Sequence, residues 1–286
     1  MATMKAVEKR RMCPNCRAFI TIGDRVCPYC EAQLGPRAVD LRRAQFASLL
    51  PRANSLSIII LTINFVIYVS MVIIGYQLNK EPSAFSFDGR LLVLFGAKFG
   101  PLIRNYGQWW RLITAGFLHG GIFHILINSW ALFDLVGEVE QFYGPSRLIV
   151  TYVLSTFTGF LLSYLWSQGI SIGSSAALFG LIGIMLATGL RRDSPLAQAV
   201  RAYYKRWAIY GLIFSFVPGL NIDIAAHIGG LAGGFILGLI AGLPGPSNSV
   251  KETLWNILAG LAIFITIYSF IQEFMAYPTV LRMIYG

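Results

Sequence analysis

Seven apolar runs divide most of this chain, at about residues 57–77, 120–137, 148–167, 174–190, 207–218, 223–243 and 254–274. A helix needs roughly 20 apolar residues to cross the hydrocarbon core of a bilayer. The runs therefore predict an all-α polytopic membrane protein. Composition agrees: 56% of residues are hydrophobic and 13% charged, with a mean hydropathy of +0.63. A soluble chain of 286 residues could not hide that much apolar surface. Two runs are short. The fourth starts at Gly173 and the fifth ends at Pro218-Gly219, which implies a thinned bilayer or helices buried among other helices.

The net charge of +10 is unevenly spread, and residues 1–54 carry ten Lys or Arg. They contain no apolar stretch of the signal-peptide kind. They read as a cytoplasmic head held near anionic lipid, with nucleic-acid binding the weaker alternative. All four cysteines lie in this head, as Cys13-Pro-Asn-Cys16 and Cys27-Pro-Tyr-Cys30. Two such knuckles offer four thiolates to one tetrahedral ion, as Zn²⁺ prefers. The segment is too short for a core of its own, so metal would supply most of its folding energy. A redox-active dithiol pair is the lesser reading. The spacing resembles a zinc ribbon and predicts a head over 1–36 and a basic linker over 37–54; whether the head has a cytoplasmic partner is not written in the segment.

With the head inside, segments 1–54, 138–147, 191–206 and 244–253 hold seventeen of the 23 Lys and Arg. This satisfies the positive-inside rule and places the starts of spans two, four and six on the outer side. The long outer connection between spans one and two contains LLVLFGAKFGPLI, too short to cross. It reads equally as an interfacial amphipathic segment or a packed loop.

Polar groups inside spans are costly and usually functional. The three histidines are His119, His124 and His227. One alone would be read as a satisfied core residue, but the topology groups them. His119, His124 and Asn128 open span two, Ser175 opens span four, and His227 lies about four residues into span six. All five converge at one shallow depth, about 6 Å in for His227 at 1.5 Å per residue. His124 and Asn128, four apart, share a helix face. Ser175 at a helix N-terminus has free backbone N–H groups and a favourable dipole beside it. Nucleophile, base and oxyanion donors are the needs of acyl transfer. Metal binding at His119 and His124 is disfavoured because no carboxylate or cysteine accompanies them. Gly230, Gly234, Gly238 and Gly242 form a stripe down span six, and span four offers Ala176, Gly180, Gly183 and Ala187. Small residues let membrane helices approach closely, so Ser175 and His227 can meet.

Over residues 55–243 the chain resembles the rhomboid proteases. Trp110-Arg111, His119-x4-His124-x3-Asn128, Gly173-Ser-Ser175-Ala176 and Ala226-His227 with Gly230 and Gly234 match the family's motifs. Glu140, Gly144 and Arg147 fall at its positions after helix two. Ala176 departs from the family, which has glycine there. The resemblance implies a six-helix core over 55–243 and, over 244–286, a linker and a seventh helix. It implies Ser175 as nucleophile and His227 as base. His124, Asn128 and the Ser175 N–H would form the oxyanion hole, and Phe179 would stack on His227. His119, Trp110, Arg111 and Gly173 would be structural, with Gly230 and Gly234 lining the helix contact. The implied activity is cleavage of single-span membrane proteins near the outer face of a bilayer, in a bacterial plasma membrane, with no catalytic cofactor and no nucleic acid. A rhomboid-like pseudoprotease that binds and routes membrane proteins is the main rival. A transporter would need polar residues through the full depth of the spans.

Overall fold

The computed structural model describes residues 10–13, 15–21, 24–34, 55–79, 84–191, 195–218, 221–242 and 249–286. The expected linker over 37–54 lies outside them. The chain divides into two units, Met1–Arg52 and Ala53–Gly286.

In the small unit, β1 (Arg10–Met12) pairs antiparallel with β2 (Phe19–Thr21), Met12 opposite Phe19. Ile20 and Leu34 join Cys13 and Cys27 in a minimal core.

The large unit is built mainly of helices. Its long helices are α1 (Ser55–Asn79), α5 (Ile122–Trp166), α6 (Ser175–Arg191), α7 (Pro195–Phe214), α8 (Ile224–Ala241) and α9 (Ser249–Tyr285). Between α1 and α5 lie α2 (Gly89–Leu94), α3 (Gly100–Tyr106), α4 (Arg111–Thr114) and a 3₁₀ turn at Ala115–Phe117. Helices α1, α5, α8 and α9 are long and apolar enough to cross a membrane, and Ser175–Leu190 is a shorter apolar helix. The protein is a multi-pass integral membrane protein.

Four runs differ from the sequence reading. Spans two and three are limbs of α5, which spans 45 residues and bends at Gly144, where φ is 78° ahead of Pro145. The expected connection 138–147 is therefore helical on both sides of one joint. A proline cannot continue the hydrogen-bond ladder, and glycine alone takes that φ without strain. The fifth helix begins at Pro195 rather than near 207. Its first turns, LAQAVRAYYKR, are strong helix formers whose polarity conceals them from a hydropathy reading. The last helix has 37 residues, roughly 55 Å at 1.5 Å per residue, nearly twice a bilayer's hydrocarbon thickness.

The outer stretch LLVLFGAKFGPLI is packed. Leu91, Leu92, Val93 and Leu94 of α2 are buried with Met71 of α1 and Val280 of α9. Phe95 meets Tyr277 edge-on at 6.4 Å, and the Arg90 guanidinium lies over the Tyr285 ring. The other end of α9 is fixed by a bidentate pair, Arg147 to Glu252 at 2.8 and 2.9 Å, with Trp255 under the guanidinium.

Helices α6 and α8 pack backbone to backbone. A Cβ on Gly230 would strike the Ala176 carbonyl, and one on Gly234 the Gly180 carbonyl. One on Gly183 would strike the Leu231 carbonyl, and Gly238 faces Ala187 and Ile184. Gly242 does not extend the stripe; it caps α8 with φ of 62°.

Gly234→Ala should therefore separate α6 from α8 and cost about 1–3 kcal/mol by overpacking. Gly260→Ala, with nothing near its added methyl, is the control. Thermal unfolding in detergent should show a lowered midpoint for the first variant alone.

Candidate active site

Ser175 is the first residue of α6, so its backbone N–H has no partner within the helix. The turn before it depends on Gly173. This residue holds φ of +121°, and an added Cβ would lie 2.8 Å from His124 Nε2. The Gly173 N–H donates to the Ala115 carbonyl at 2.9 Å, which ties the turn to the end of the outer loop.

His227 is the fourth residue of α8, a helix capped by Asp223, whose carboxylate accepts from the Ala226 N–H at 3.0 Å. Its Nε2 lies 2.9 Å from Ser175 Oγ. Phe179, one turn along α6, stacks on the imidazole with centroids 4.2 Å apart and planes within 20°. The Phe179 ring is seated against Gly211 of α7, where a Cβ would lie 2.7 Å from it.

His124 and Asn128 project from the first turns of α5. The Gly120 N–H donates to His124 Nδ1 at 3.1 Å. That nitrogen is thus an acceptor, and the ring proton sits on Nε2, which faces the Gly173 turn. Asn128 donates from Nδ2 to the His124 carbonyl at 2.9 Å and accepts from Ser174 Oγ at 3.2 Å, leaving one amide hydrogen. Ser174 Oγ also lies 3.4 Å from His119 Nε2. His119 is buried and its ring meets His124 edge-on.

Trp110 and Arg111 do not touch this cluster. The buried Arg111 donates from Nη1 to the Val93 and Ala97 carbonyls at 2.7 and 3.0 Å and from Nε to Gln108 Oε1, and lies over the Trp110 ring at 4.6 Å. It fixes the shape of the outer loop. Lys98 fastens the same loop to the α5–α6 connection, donating to the Ser167 and Gly169 carbonyls at 2.7 and 3.0 Å. Arg147 pairs with Glu252, not with Glu140.

Two serines went unread in the sequence. Ser174 bridges His119 and Asn128. Ser215, in the turn after α7, lies 2.9 Å from His227 Nδ1. Ser174 lies within the Gly173–Ala176 motif and Ser215 stands alone beyond a helix end, and in neither case does the sequence show which partner the hydroxyl takes.

Ala176 is fully buried. Its methyl lies where Gly159 of α5 leaves room: a Cβ on Gly159 would come within 2.7 Å of it. The extra methyl at this position is matched by a glycine on the facing helix.

In the small unit the four cysteine sulfurs lie within 4.8 Å of one another. Cys13 and Cys30 are 3.8 Å apart, Cys16 and Cys27 3.6 Å. A tetrahedral ion with metal–sulfur bonds of about 2.3 Å requires edges of about 3.8 Å, so the residues fit one metal ion. The knuckles repeat each other. The Cys13 and Cys27 carbonyls accept from the N–H groups of Arg17 and Glu31 at 2.9 Å, and both donors have positive φ, 62° and 56°. The Ala32 backbone N–H leads the influences drawing the Cys30 thiol down to about 6.

The Rhomboid domain family matches residues 106–244. The chain is 35% identical over 192 residues to Rhomboid protease GluP of Bacillus subtilis (strain 168), covering 67% of this chain and 37% of that protein. It is 34% identical over 169 residues to RHOMBOID-like protein 1 of Arabidopsis thaliana, covering 58% of this chain and 43% of that one. With Rhomboid-like protease 1 of Toxoplasma gondii it shares 33% identity over 217 residues, covering 72% of this chain and 70% of the relative. The chain thus spans under half the length of the first two.

The seat beside Gly159 gives a direct expectation. Ala176→Gly should leave a methyl-sized void and lower stability by about 1 kcal/mol, read as a fall in unfolding midpoint. Because the methyl points at α5 and not at the dyad, activity on a model substrate should change less than about tenfold.

Proposed function

This chain belongs to the rhomboid family, and we propose that it is an intramembrane serine endopeptidase. Its substrates are single-span membrane proteins, cut in their transmembrane segments near the outer face. The observation that carries this reading is the 2.9 Å contact between His227 Nε2 and Ser175 Oγ under the Phe179 ring. A serine hydroxyl is a weak nucleophile until an adjacent base takes its proton.

As Ser175 Oγ bonds to the scissile carbonyl carbon, its proton passes to His227 Nε2. The carbonyl oxygen becomes an oxyanion, held by the Ser175 N–H, His124 Nε2–H and the remaining Asn128 amide hydrogen. The C–N bond then breaks, and His227 returns its proton to the departing amine. Water attacks the acyl ester and gives a proton to His227. The C–Oγ bond breaks, and that proton restores Ser175. The substrate helix unwinds locally to expose its carbonyl, because a helix hides its own. The alternative, a pseudoprotease that binds and routes membrane proteins, predicts no covalent labelling at Ser175.

The basic distribution supports a cytoplasmic N-terminus, and a bacterial plasma membrane is the proposed location. The domain reading is a head over 1–36, a linker over 37–54, a core over 55–243 and a seventh-helix segment over 244–286. The head holds one structural Zn²⁺ through Cys13, Cys16, Cys27 and Cys30, which suits a ligand set of four thiolates, and it meets a cytoplasmic partner.

Ser175→Ala, His227→Ala and the double variant should fall to one shared background, since residues acting as a unit lose activity non-additively. A fluorophosphonate should label the wild type and neither single variant. His124→Ala and Asn128→Ala should each cost about 10²–10³ in rate. Labelling that persists in Ser175→Ala would falsify the assignment. Deleting residues 1–36 should remove one equivalent of zinc by elemental analysis and change cleavage in detergent only a few-fold; an inert but folded truncation would place the head within the catalytic unit.

A further inference from the structure

The base of the proposed dyad has a third partner. Ser215 is buried in the turn that follows α7, and its Oγ lies 2.9 Å from His227 Nδ1, on the side of the ring opposite Ser175. The serine hydroxyl has one hydrogen, and the Gly211 carbonyl, 2.9 Å away, takes it. With its hydrogen on that carbonyl, Ser215 Oγ faces His227 as an acceptor, and the hydrogen between them comes from Nδ1. With Nδ1 protonated, Nε2 carries the lone pair, and that lone pair faces Ser175 Oγ. We propose that Ser215 is a positioning residue that fixes His227 in the tautomer able to accept the Ser175 proton.

This rests on the reading of Ser175 and His227 as a catalytic pair. Serine protease triads assign the task to a buried carboxylate; here a neutral hydroxyl performs it, which avoids placing an unpaired charge beside lipid. The same end of α7 holds the base a second way. Gly211, whose carbonyl orients Ser215, also leaves the space that seats Phe179 against the imidazole. One helical turn thus sets both the plane of the ring and the position of its proton. When His227 becomes imidazolium, the Nδ1–H bond to Ser215 becomes charge-assisted and strengthens. Its contribution should appear in kcat and not in KM.

The chain's three histidines allow a direct test by long-range ¹H–¹⁵N spectra of histidine-labelled protein in detergent, assigned with His119→Gln and His124→Gln. In the wild type, His227 Nδ1 should resonate as a protonated nitrogen and Nε2 as a bare one. Ser215→Ala should shift His227 to a mixture of tautomers and lower kcat about tenfold with KM little changed, the worth of one hydrogen bond of about 1.4 kcal/mol. Ser215→Thr keeps the hydroxyl and should recover most of the loss. A wild-type spectrum with the proton on Nε2 overturns the proposal even if Ser215→Ala does not fold. So does a Ser215→Ala enzyme with wild-type kcat and an unchanged spectrum. Ser175→Ala and His227→Ala run alongside separate the two readings. If they retain cleavage, the dyad itself is wrong; if they are inactive while Ser215→Ala is unaffected, only the role of Ser215 falls.

Discussion

The approach of α6 to α8 governs the rest of the large unit. Gly230 lies against the Ala176 carbonyl and Gly234 against the Gly180 carbonyl, so any side chain at either glycine would force the helices apart. Lipid supplies no hydrophobic drive for two apolar helices to associate, because its tails are as apolar as leucine. Close van der Waals contact between backbones must do the work. That contact brings Ser175, at the head of one helix, to hydrogen-bonding distance of His227, one turn into the other. Fold stability and the geometry of the polar pair are thus one property of one surface.

Around this pair, nearly every positioning element is a helix end. Ser175 begins α6, His227 sits in the first turn of α8 above its Asp223 cap, His124 and Asn128 lie in the first turns of α5, and Ser215 follows α7. Helix ends are where backbone groups lack internal partners, and in a membrane those groups are expensive to leave unmet. The fold gathers them on one level with the polar side chains that use them. The outer loop closes this level from the side, through the Ala115 carbonyl on the Gly173 N–H and Lys98 on the carbonyls of the α5–α6 connection.

The apolar runs made the order of the long helical segments legible, though not that two of them are limbs of one helix, and the family motifs singled out Ser175, His227, His124 and Asn128. What escaped has physical reasons. The polar first half of α7 is helical by propensity and by packing, through Tyr203 and Tyr204 on Asp134 and Glu138, and hydropathy is blind to both. The outer loop's apolar residues run consecutively, a pattern that fits a buried or an interfacial segment alike. The length of α9 shows only through the surfaces it covers. Ser174 bonds to His119 and Asn128, and Ser215 to His227, all remote in sequence, and no neighbour of either serine betrays those partners. The compensation of Ala176 by Gly159 is likewise a relation between helices, visible only once they are packed.

Helix α9 is synthesised after every other described helix, yet Val280, Tyr277 and Tyr285 wall in the loop that follows the first. That loop carries Arg111 and Ala115, and Ala115 holds the Gly173 turn. A ribosome therefore delivers the components of the polar site well before it delivers the piece that closes the loop around them. Assembly order becomes a form of timing: until α9 emerges, the loop that frames the site lacks the helix packed behind it.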